Sequence, residues 1–240
     1  MNSAFFDAVR ASLFGGTLTQ PQVDALKAIG KAWDTYGNGH TPAVAYVLGT
    51  AYHETGRFRF MREIWGPTAA QRRYEGRTDL GNTVAGDGHK FLGRGFVQIT
   101  GRRNYADWGK RLGLDLLKEP QLAEQPEIAA RILVQGMVLG TFTGKKLQDY
   151  INSDGGDYVN ARRIVNGTDK ADLIAGYAER FAKALALSGK KLPPVVVPAQ
   201  PDIVQQISPP DAPIEATPRP ADRHWLAALI DALISIFRKR

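Results

Sequence analysis

The sequence predicts a mainly α-helical domain with few short strands, and three observations support this. Apolar residues recur at helical spacing over several long segments of residues 1–190. Alternation typical of strands is sparse there, and glycine-rich stretches separate the helical segments. Hydrophobic residues make up 43% of the 240-residue chain and charged residues 23%, the ordinary composition of a globular domain.

The first two predicted helices follow one another closely. One begins after a Thr19 cap and ends at the Gly-Asn-Gly sequence of residues 37–39. The other runs from Pro42 to about Glu54, and Gly56 ends it. Because apolar residues cover most of the circumference of this second helix, we expect it to be largely buried.

The remainder of the domain alternates between loops and helices. The glycine-rich residues 76–95 are predicted to form loops or a short hairpin. Helical spacing returns over residues 127–140 and 170–187. The predicted globular domain therefore covers residues 1–190.

Two regions of different composition follow this domain. Residues 191–220 hold nine of the fourteen prolines of the chain. Proline lacks an amide donor and favours extended backbone, so this segment is predicted to be a semi-rigid linker. Residues 221–240 form a separate tail that is both apolar and basic.

The tail is predicted to be an amphipathic helix. Residues 225–237 would span only about 20 Å as a helix, which is shorter than a bilayer core. Binding in the interface of an anionic membrane fits this segment better, and docking on the domain or self-association is the alternative. The residues expected to meet the membrane are Trp225, Leu229, Ile230, Leu233, Phe237, Arg238, Lys239 and Arg240.

The charge distribution limits the choice of partners. The formal net charge is +7, and residues 191–240 contain six basic and five acidic residues, which leaves +6 on residues 1–190. A basic domain suits an anionic partner such as a bacterial wall or a membrane surface. No lysine/arginine run occurs within the domain, so we expect no nucleic-acid binding. The absence of cysteine excludes thiol catalysis and disulfide bonds.

Glu54 is the first candidate for chemistry. It lies at the end of a buried apolar helix, where the helix dipole and desolvation both favour the protonated carboxyl. A carboxyl that stays protonated at neutral pH is what a general acid requires. The alternative is a half-exposed glutamate that pairs with Arg57.

Glu63 is the second candidate, nine residues further along the chain. Five nearby arginines are expected to keep it ionised, as a general base needs to be; they are Arg57, Arg59, Arg62, Arg72 and Arg73. On one continuous helix the two glutamates would be about 13–14 Å apart, but a turn at Gly56 would let them face each other. The alternative for Glu63 is a surface ion pair, and Glu75 is a rival candidate for the base.

A third feature is the glycine-rich sequence of residues 93–101. Its two glycines around Arg94 indicate a close approach of the backbone to a ligand or to another segment. Beyond them, Gln98 and Thr100 alternate with apolar residues, which predicts a short strand with one polar face. Amide and hydroxyl groups on that face are suited to bind sugar hydroxyls or to hold a water molecule.

Three motifs, in this order, resemble those of glycoside hydrolase family 19, the plant-type chitinases and phage endolysins. They are His-Glu-Thr-Gly at 53–56, the segment 93–105, and Arg-Arg-Ile-Val-Asn-Gly at 162–167. The resemblance covers roughly residues 15–187. It implies a lysozyme-like, two-lobed helical domain with a central cleft and an inverting mechanism. The absent cysteines and the short spacing between the two glutamates favour the bacterial or phage branch.

The resemblance also implies roles for individual residues. Glu54 matches the general acid, Glu63 the general base, and Thr100 the hydroxyl that helps to hold the attacking water. No metal or other cofactor is expected. The positions that match sugar-contacting residues are Gln98, Asn104, Tyr105, Arg163 and Asn166.

These observations predict an endolysin that hydrolyses the β-1,4 glycosidic bonds of peptidoglycan. Residues 1–16 lack the features of a signal peptide, so we expect the protein to stay in the cytoplasm until a holin opens the membrane and lets it reach the wall. We also expect it to be a monomer. A chitinase acting on N-acetylglucosamine polymers is the main alternative.

Three further classes are weighed against hydrolysis of the glycan. A zinc amidase acting on wall peptides would use histidines, although no HExxH motif occurs; the candidates are His40, His53 and His89. A sugar-binding module without activity would not need both glutamates. A lytic transglycosylase would need one acid only and would release a 1,6-anhydro product.

Overall fold

A computed structural model describes residues 1–152 and 155–189. Eight α-helices form about half of this part of the chain. Two of them have only four residues each, and the four longest have 14 or 17. The helices are α1 (Ser3–Ser12), α2 (Gln20–Tyr36), α3 (Thr41–Glu54), α4 (Ala69–Arg72), α5 (Asp87–Lys90), α6 (Arg102–Leu112), α7 (Pro126–Leu139) and α8 (Ala171–Leu187).

Extended structure is scarce among the described residues. Strands β1 (Ile151–Asn152) and β2 (Gly155–Gly156) pair antiparallel, two residues each. Short 3-10 helices make up several of the connections: Thr78–Leu80, Pro120–Glu124, Leu147–Asp149 and Asn160–Ile164. The prediction of a mainly α fold with few short strands is confirmed.

The core is built around α3, which packs against α8, while α2 packs against α7 and α1 against α8. All residues of α3 from Ala43 to His53 are buried, as its apolar circumference predicts. Gly49 lies at the crossing with α8, where an added Cβ would be 2.9 Å from the Ala178 nitrogen. A residue without a side chain is therefore needed for this close helix contact.

The four helices predicted from the sequence begin and end close to the predicted residues. Thr19 caps α2 in a capping box with Gln22, whose Oε1 accepts a hydrogen bond from the Thr19 amide at 3.0 Å. Helix α3 ends at Glu54, two residues before Gly56, as expected. The predicted helices at 127–140 and 170–187 are α7 and α8, each within one residue at both ends.

Two loop regions differ from the prediction, the first only in part. Residues 76–95 form loops, one of the two predicted alternatives, but these contain a 3-10 helix and the short helix α5 and no hairpin. The predicted strand around Gln98 is wrong: Gln98 has φ +51°, and the amide of Ile99 bonds back to the Arg94 carbonyl at 3.0 Å. This tight backbone reversal replaces the expected alternation, so that both polar and apolar residues of the segment are buried.

The predicted linker at 191–220 and the predicted tail helix at 221–240 lie outside the described residues, and so do all eight residues expected to meet a membrane. Within the described part of the chain, no helix is both long and apolar enough to cross a membrane.

Candidate active site

The chain reverses direction immediately after α3. Three consecutive residues adopt left-handed backbone: Gly56 (φ +54°), Arg57 (φ +68°) and Phe58 (φ +60°). Such a conformation is unfavourable for residues with side chains. It is held by bonds such as that from the Arg57 amide to the Tyr52 carbonyl at 2.7 Å. The turn predicted at Gly56 is therefore present, and it lies between the two candidate glutamates in the chain.

Glu54 forms an ion pair with Arg162. Arg162 Nη1 donates to Glu54 Oε1 at 2.5 Å, and the side chains are 2% and 10% exposed, respectively. Arg162 belongs to the third motif, and its Nε also donates to the Asp169 carbonyl at 3.1 Å. The ion pair therefore ties the end of α3 to the segment before α8, and brings the first and third motifs together.

This pairing changes the expected environment of Glu54. The sequence predicts a carboxyl surrounded by apolar side chains, or one paired with Arg57. The structure instead places a buried guanidinium against it, and Arg57 is exposed. A nearby cation favours the ionised carboxylate, so apolar packing does not by itself keep Glu54 neutral.

Glu63 is buried, with 6% of its surface exposed. Its Oε1 accepts hydrogen bonds from Gln71 Nε2 at 2.9 Å and from the Tyr74 hydroxyl at 3.4 Å. Its Oε2 accepts one from the Gly93 amide at 3.1 Å. All three donors are electrically neutral, and the last belongs to the second motif.

Burial raises the pKa of the Glu63 carboxyl, and its three hydrogen bonds together with the charge of Arg94 oppose this rise. The prediction that five arginines keep Glu63 ionised is therefore wrong. Those arginines are exposed, and their charges are solvated, whereas the Glu63 carboxylate turns inward toward Gly93. Glu63 is not a surface ion pair either.

Thr100 and Gln98 lie at the same place as Glu63. An ideal Cβ on Gly93 would be 2.9 Å from Gln98 Oε1 and 3.4 Å from both Glu63 Oε2 and Thr100 Oγ1. Three side-chain oxygen atoms thus cluster against Gly93 and leave no room for a side chain at this position. Asn104 is close as well, since its Nδ2 donates to the Thr100 carbonyl at 2.6 Å.

The other three residues predicted to contact sugar do not belong to this group of side chains beside Gly93. Tyr105 is fully buried, and its hydroxyl is engaged by Arg94 Nη1 at 2.9 Å and by the Leu92 carbonyl at 2.7 Å. It supports the 91–101 loop from behind, so a direct sugar contact is not available to it. Arg163 is exposed and Asn166 is half-buried.

Glu75, the rival candidate for the base, has different hydrogen-bond partners from Glu63. Its two carboxylate oxygens accept from the amides of Gly86 at 2.6 Å and Gly88 at 2.9 Å. It therefore closes the loop that begins α5. It is not among the oxygens that converge beside Gly93.

The three candidate zinc ligands do not form a group. The His53 ring packs near Tyr177, with centroids 6.4 Å apart, and the His89 ring packs on Trp65 at 4.8 Å. Among the described residues, no cluster of three or more His, Asp or Glu side chains is arranged to hold a metal ion.

An aromatic cluster borders the Glu63 site. Trp65 is half-buried, two residues after the candidate base, and its ring lies between His89 and Tyr74, the latter with centroids 6.4 Å apart. Tyr74 also reaches Glu63 through its hydroxyl. Four residues at the two glutamates were not predicted from the sequence: Trp65, Gln71, Tyr74 and Arg162. Only Arg162 carried a signal, because it stands beside Arg163 in the third motif.

Comparison with known proteins gives relatives of one kind. An endochitinase of Arabidopsis thaliana is 39% identical over 80 residues, which is 33% of this chain and 29% of the relative. A glycosyl hydrolase family 19 domain-containing protein of Haemophilus influenzae is 48% identical over 52 residues, 22% of this chain and 25% of the relative. The chain thus spans less than a third of the length of these two relatives. No protein-family model matches the chain.

Solved structures share the fold. Chitinase C from Streptomyces griseus aligns with a TM-score of 0.54 at 21% identity, over 80% of this chain and 77% of that one. A bacterial family 19 chitinase aligns with a TM-score of 0.51 at 21% identity, over 77% of this chain and 94% of that one.

The predicted resemblance to glycoside hydrolase family 19 is confirmed by these partial sequence matches, and the helix-rich fold is shared with family 19 chitinases.

Proposed function

We propose that this chain hydrolyses β-1,4 glycosidic bonds between N-acetylated amino sugars by an inverting mechanism. The observation that carries the proposal is that buried oxygens of Glu63, Thr100 and Gln98 lie close together, all within 3.4 Å of a Cβ added to Gly93. A buried carboxylate next to a hydroxyl and an amide is suited to hold and deprotonate a water molecule that approaches from the substrate side.

In this mechanism Glu54 is the general acid. Arg162 fixes the orientation of its carboxyl through Oε1. Arg162 favours the ionised form of this carboxyl in the free protein. Its protonation therefore depends on a bound sugar, which excludes water from the part of the carboxyl that is still exposed and so favours the neutral form. Glu54 then gives its proton to the glycosidic oxygen, while Glu63 takes a proton from the water that attacks the opposite face of the sugar. Trp65 offers an aromatic face beside the base for a sugar ring.

We infer that the substrate is peptidoglycan and that the protein is a lysin of the bacterial or phage branch. Residues 1–190 carry a net charge of +6, and exposed arginines flank Glu63 in the sequence, Arg62, Arg72 and Arg73 among them. Peptidoglycan bears the carboxylates of its peptides, whereas chitin is uncharged. A basic surface therefore favours the former substrate electrostatically.

Within this proposal the protein acts as a monomer on the wall after a holin has opened the membrane, and the 221–240 tail holds it at an anionic membrane surface. Binding to vesicles that contain anionic lipid, compared between the full chain and residues 1–190, tests the tail. Equal binding of the two proteins would contradict the role given to it.

Chitin is the second candidate substrate, since the Arabidopsis relatives are named endochitinases. Digestion of purified peptidoglycan and of chitin hexasaccharide decides between the two, with mass spectrometry to identify the sugar at each new reducing end. NMR of the fresh product should show the α-anomer, as inversion of a β bond requires. A 1,6-anhydro product would identify a transglycosylase, and release of peptides alone would identify an amidase.

A further inference from the structure

Five arginines within residues 54–87 have no carboxylate partner among the described residues. All five are exposed. Their only side-chain hydrogen bonds run to backbone carbonyls, from Arg72 to Pro67 at 2.7 Å and from Arg59 to Gly56 at 3.2 Å. Because like charges repel one another, such a group does not stabilise the folded chain by itself. The five are Arg57, Arg59, Arg62, Arg72 and Arg73.

The carboxylates of the same segment are all engaged. Three of them form ion pairs with arginines outside this group of five. The other two accept hydrogen bonds from uncharged side chains or backbone amides. The charge of the five arginines is therefore not compensated by the acids of this segment, and it remains available to an anionic ligand. The engaged acids are Glu54, Glu63, Glu75, Asp79 and Asp87.

Three of these arginines lie beside the candidate base, and we call them the base-side arginines. Arg62 directly precedes Glu63 in the chain, and Arg72 and Arg73 directly follow Gln71. Gln71 Nε2 donates to Glu63 Oε1 at 2.9 Å. Each of the three arginines is therefore at most two residues from this hydrogen bond. Because the bond holds α4 against the base, the three arginines are at the edge of the candidate site.

A carboxylate attached to the glycan is the anion that fits this position. The planar guanidinium group donates two parallel hydrogen bonds to a carboxylate. In peptidoglycan, a short peptide with free carboxylates is attached to every second sugar, whereas chitin has no charged substituent. A peptidoglycan strand whose glycosidic bond lies at Glu54 and Glu63 therefore brings peptide carboxylates next to the candidate site.

We propose that the base-side arginines bind the peptide carboxylates of a peptidoglycan strand and so make the protein select peptide-bearing glycan over bare glycan. This inference rests on the proposed hydrolysis and names the part of the substrate that the basic surface contacts. Sugar contacts in the cleft serve both kinds of strand, whereas the contacts of these three arginines exist only with a strand that carries peptides.

The test is a triple variant that combines Arg62→Gln, Arg72→Gln and Arg73→Gln, assayed on two soluble substrates. One substrate is uncross-linked glycan strands with their peptides, and the other is the same strands after an amidase has removed the peptides. Since one exposed ion pair changes an affinity by up to a few-fold, we expect kcat/KM on the peptide-bearing strands to fall by about 10-fold. On bare strands kcat/KM should stay at the wild-type value. The melting temperature should not fall, because no ion pair is lost.

A lysine control separates this contact from a general effect of charge. It combines Lys27→Gln, Lys31→Gln and Lys183→Gln, which remove the same charge from exposed positions of α2 and α8. Its kcat/KM on both substrates should stay close to that of the wild type. Added salt should narrow the difference between the wild type and the arginine variant on peptide-bearing strands, because salt screens exposed charges.

Equal losses of the arginine variant on the two substrates, or an equal loss in the lysine control, would overturn the inference while the proposed hydrolysis stands. Wild-type activity of the arginine variant on peptide-bearing strands would do the same, and so would a wild-type protein that prefers bare strands. A wild-type protein that cleaves neither kind of strand would instead refute the proposed function, and the inference with it.

Discussion

Glu54 and Glu63 are both nearly hidden from water, but their surroundings differ in kind. Glu54 faces the buried guanidinium of Arg162, whereas Glu63 faces three neutral donors. A buried ion pair depends on both of its members, because the one left behind remains charged in a poor solvent. For Glu63, burial disfavours the charged carboxylate more strongly than its neutral donors and the charge of Arg94 favour it, so the pKa is raised. The two carboxyls should therefore respond differently when they are neutralised.

The largest expected effect is the loss of activity, and it is the same for both sites. Glu54→Gln and Glu63→Gln should each lower kcat by about 10²–10⁴-fold or more, because each removes one partner of the proton transfers. Initial rates on a soluble substrate measure this. A variant that keeps more than a tenth of the wild-type rate would remove its glutamate from the proposed pair.

Stability is expected to separate the two variants. Glu54→Gln leaves Arg162 without its counter-ion at 2% exposure, and breaking a buried pair in this way costs about 3–5 kcal/mol. Glu63→Gln should stay within about 1 kcal/mol of the wild type, because the loss of one hydrogen bond is offset by the removal of a buried charge. Chemical denaturation measures both free energies of unfolding.

A double-mutant cycle sharpens this result. On an Arg162→Met background no cation is left behind, so Glu54→Gln should cost less than it does in the wild type, with a coupling energy of about 0.5–3 kcal/mol. Additive effects would mean that the two side chains do not interact in solution.

The pH dependence should follow Glu63. Because burial raises the pKa of this carboxyl in the folded protein, the unfolded chain loses its proton first as pH rises above about 4.3. Stability therefore falls between that pH and the folded pKa. Activity moves the other way, since the base must be ionised, and its acid limb should lie above the ordinary glutamate pKa.

Glu63→Gln removes this pH-dependent fall in stability. The difference in free energy of unfolding between the variant and the wild type should therefore grow between about pH 4.3 and the folded pKa of Glu63, and then level off. Denaturation series at several pH values check it. A difference that does not change with pH would show that Glu63 titrates normally.

The smallest effect is expected at the edge of the Glu63 network. Tyr74→Phe removes the longest of the three hydrogen bonds, at 3.4 Å. We expect a loss of activity of a few-fold, and an acid limb shifted upward, because this bond lowers the pKa of Glu63. Tyr158→Phe, which removes a hydroxyl bonded to the Pro42 carbonyl and not to either glutamate, serves as the matched control.

The four longest helices of this protein were predictable from the sequence, but the backbone reversal at Gln98 was not. Cap residues such as Thr19 and the apolar periodicity of α3 are encoded in adjacent residues, which is why their bounds were correct. The reversal at Gln98 was missed because its alternating sequence is typical of a strand. Its conformation depends on contacts with Gly95 and Arg94, and local propensity gives way to such contacts.

The amino-acid sequence by itself determined the mainly α-helical class, the resemblance to family 19 and the choice of Glu54 and Glu63 as candidates, because spacing and residue type are local properties. Tertiary structure alone decided which groups meet them. Arg162 reaches Glu54 across 108 positions of the chain, and Gly93 reaches Glu63 across 30. The charge state of a carboxyl depends on what surrounds it in space. For that reason the arginines near Glu63 in the sequence gave a wrong prediction of its surroundings, and the arginine that pairs with Glu54 is one that lies far from it in the sequence.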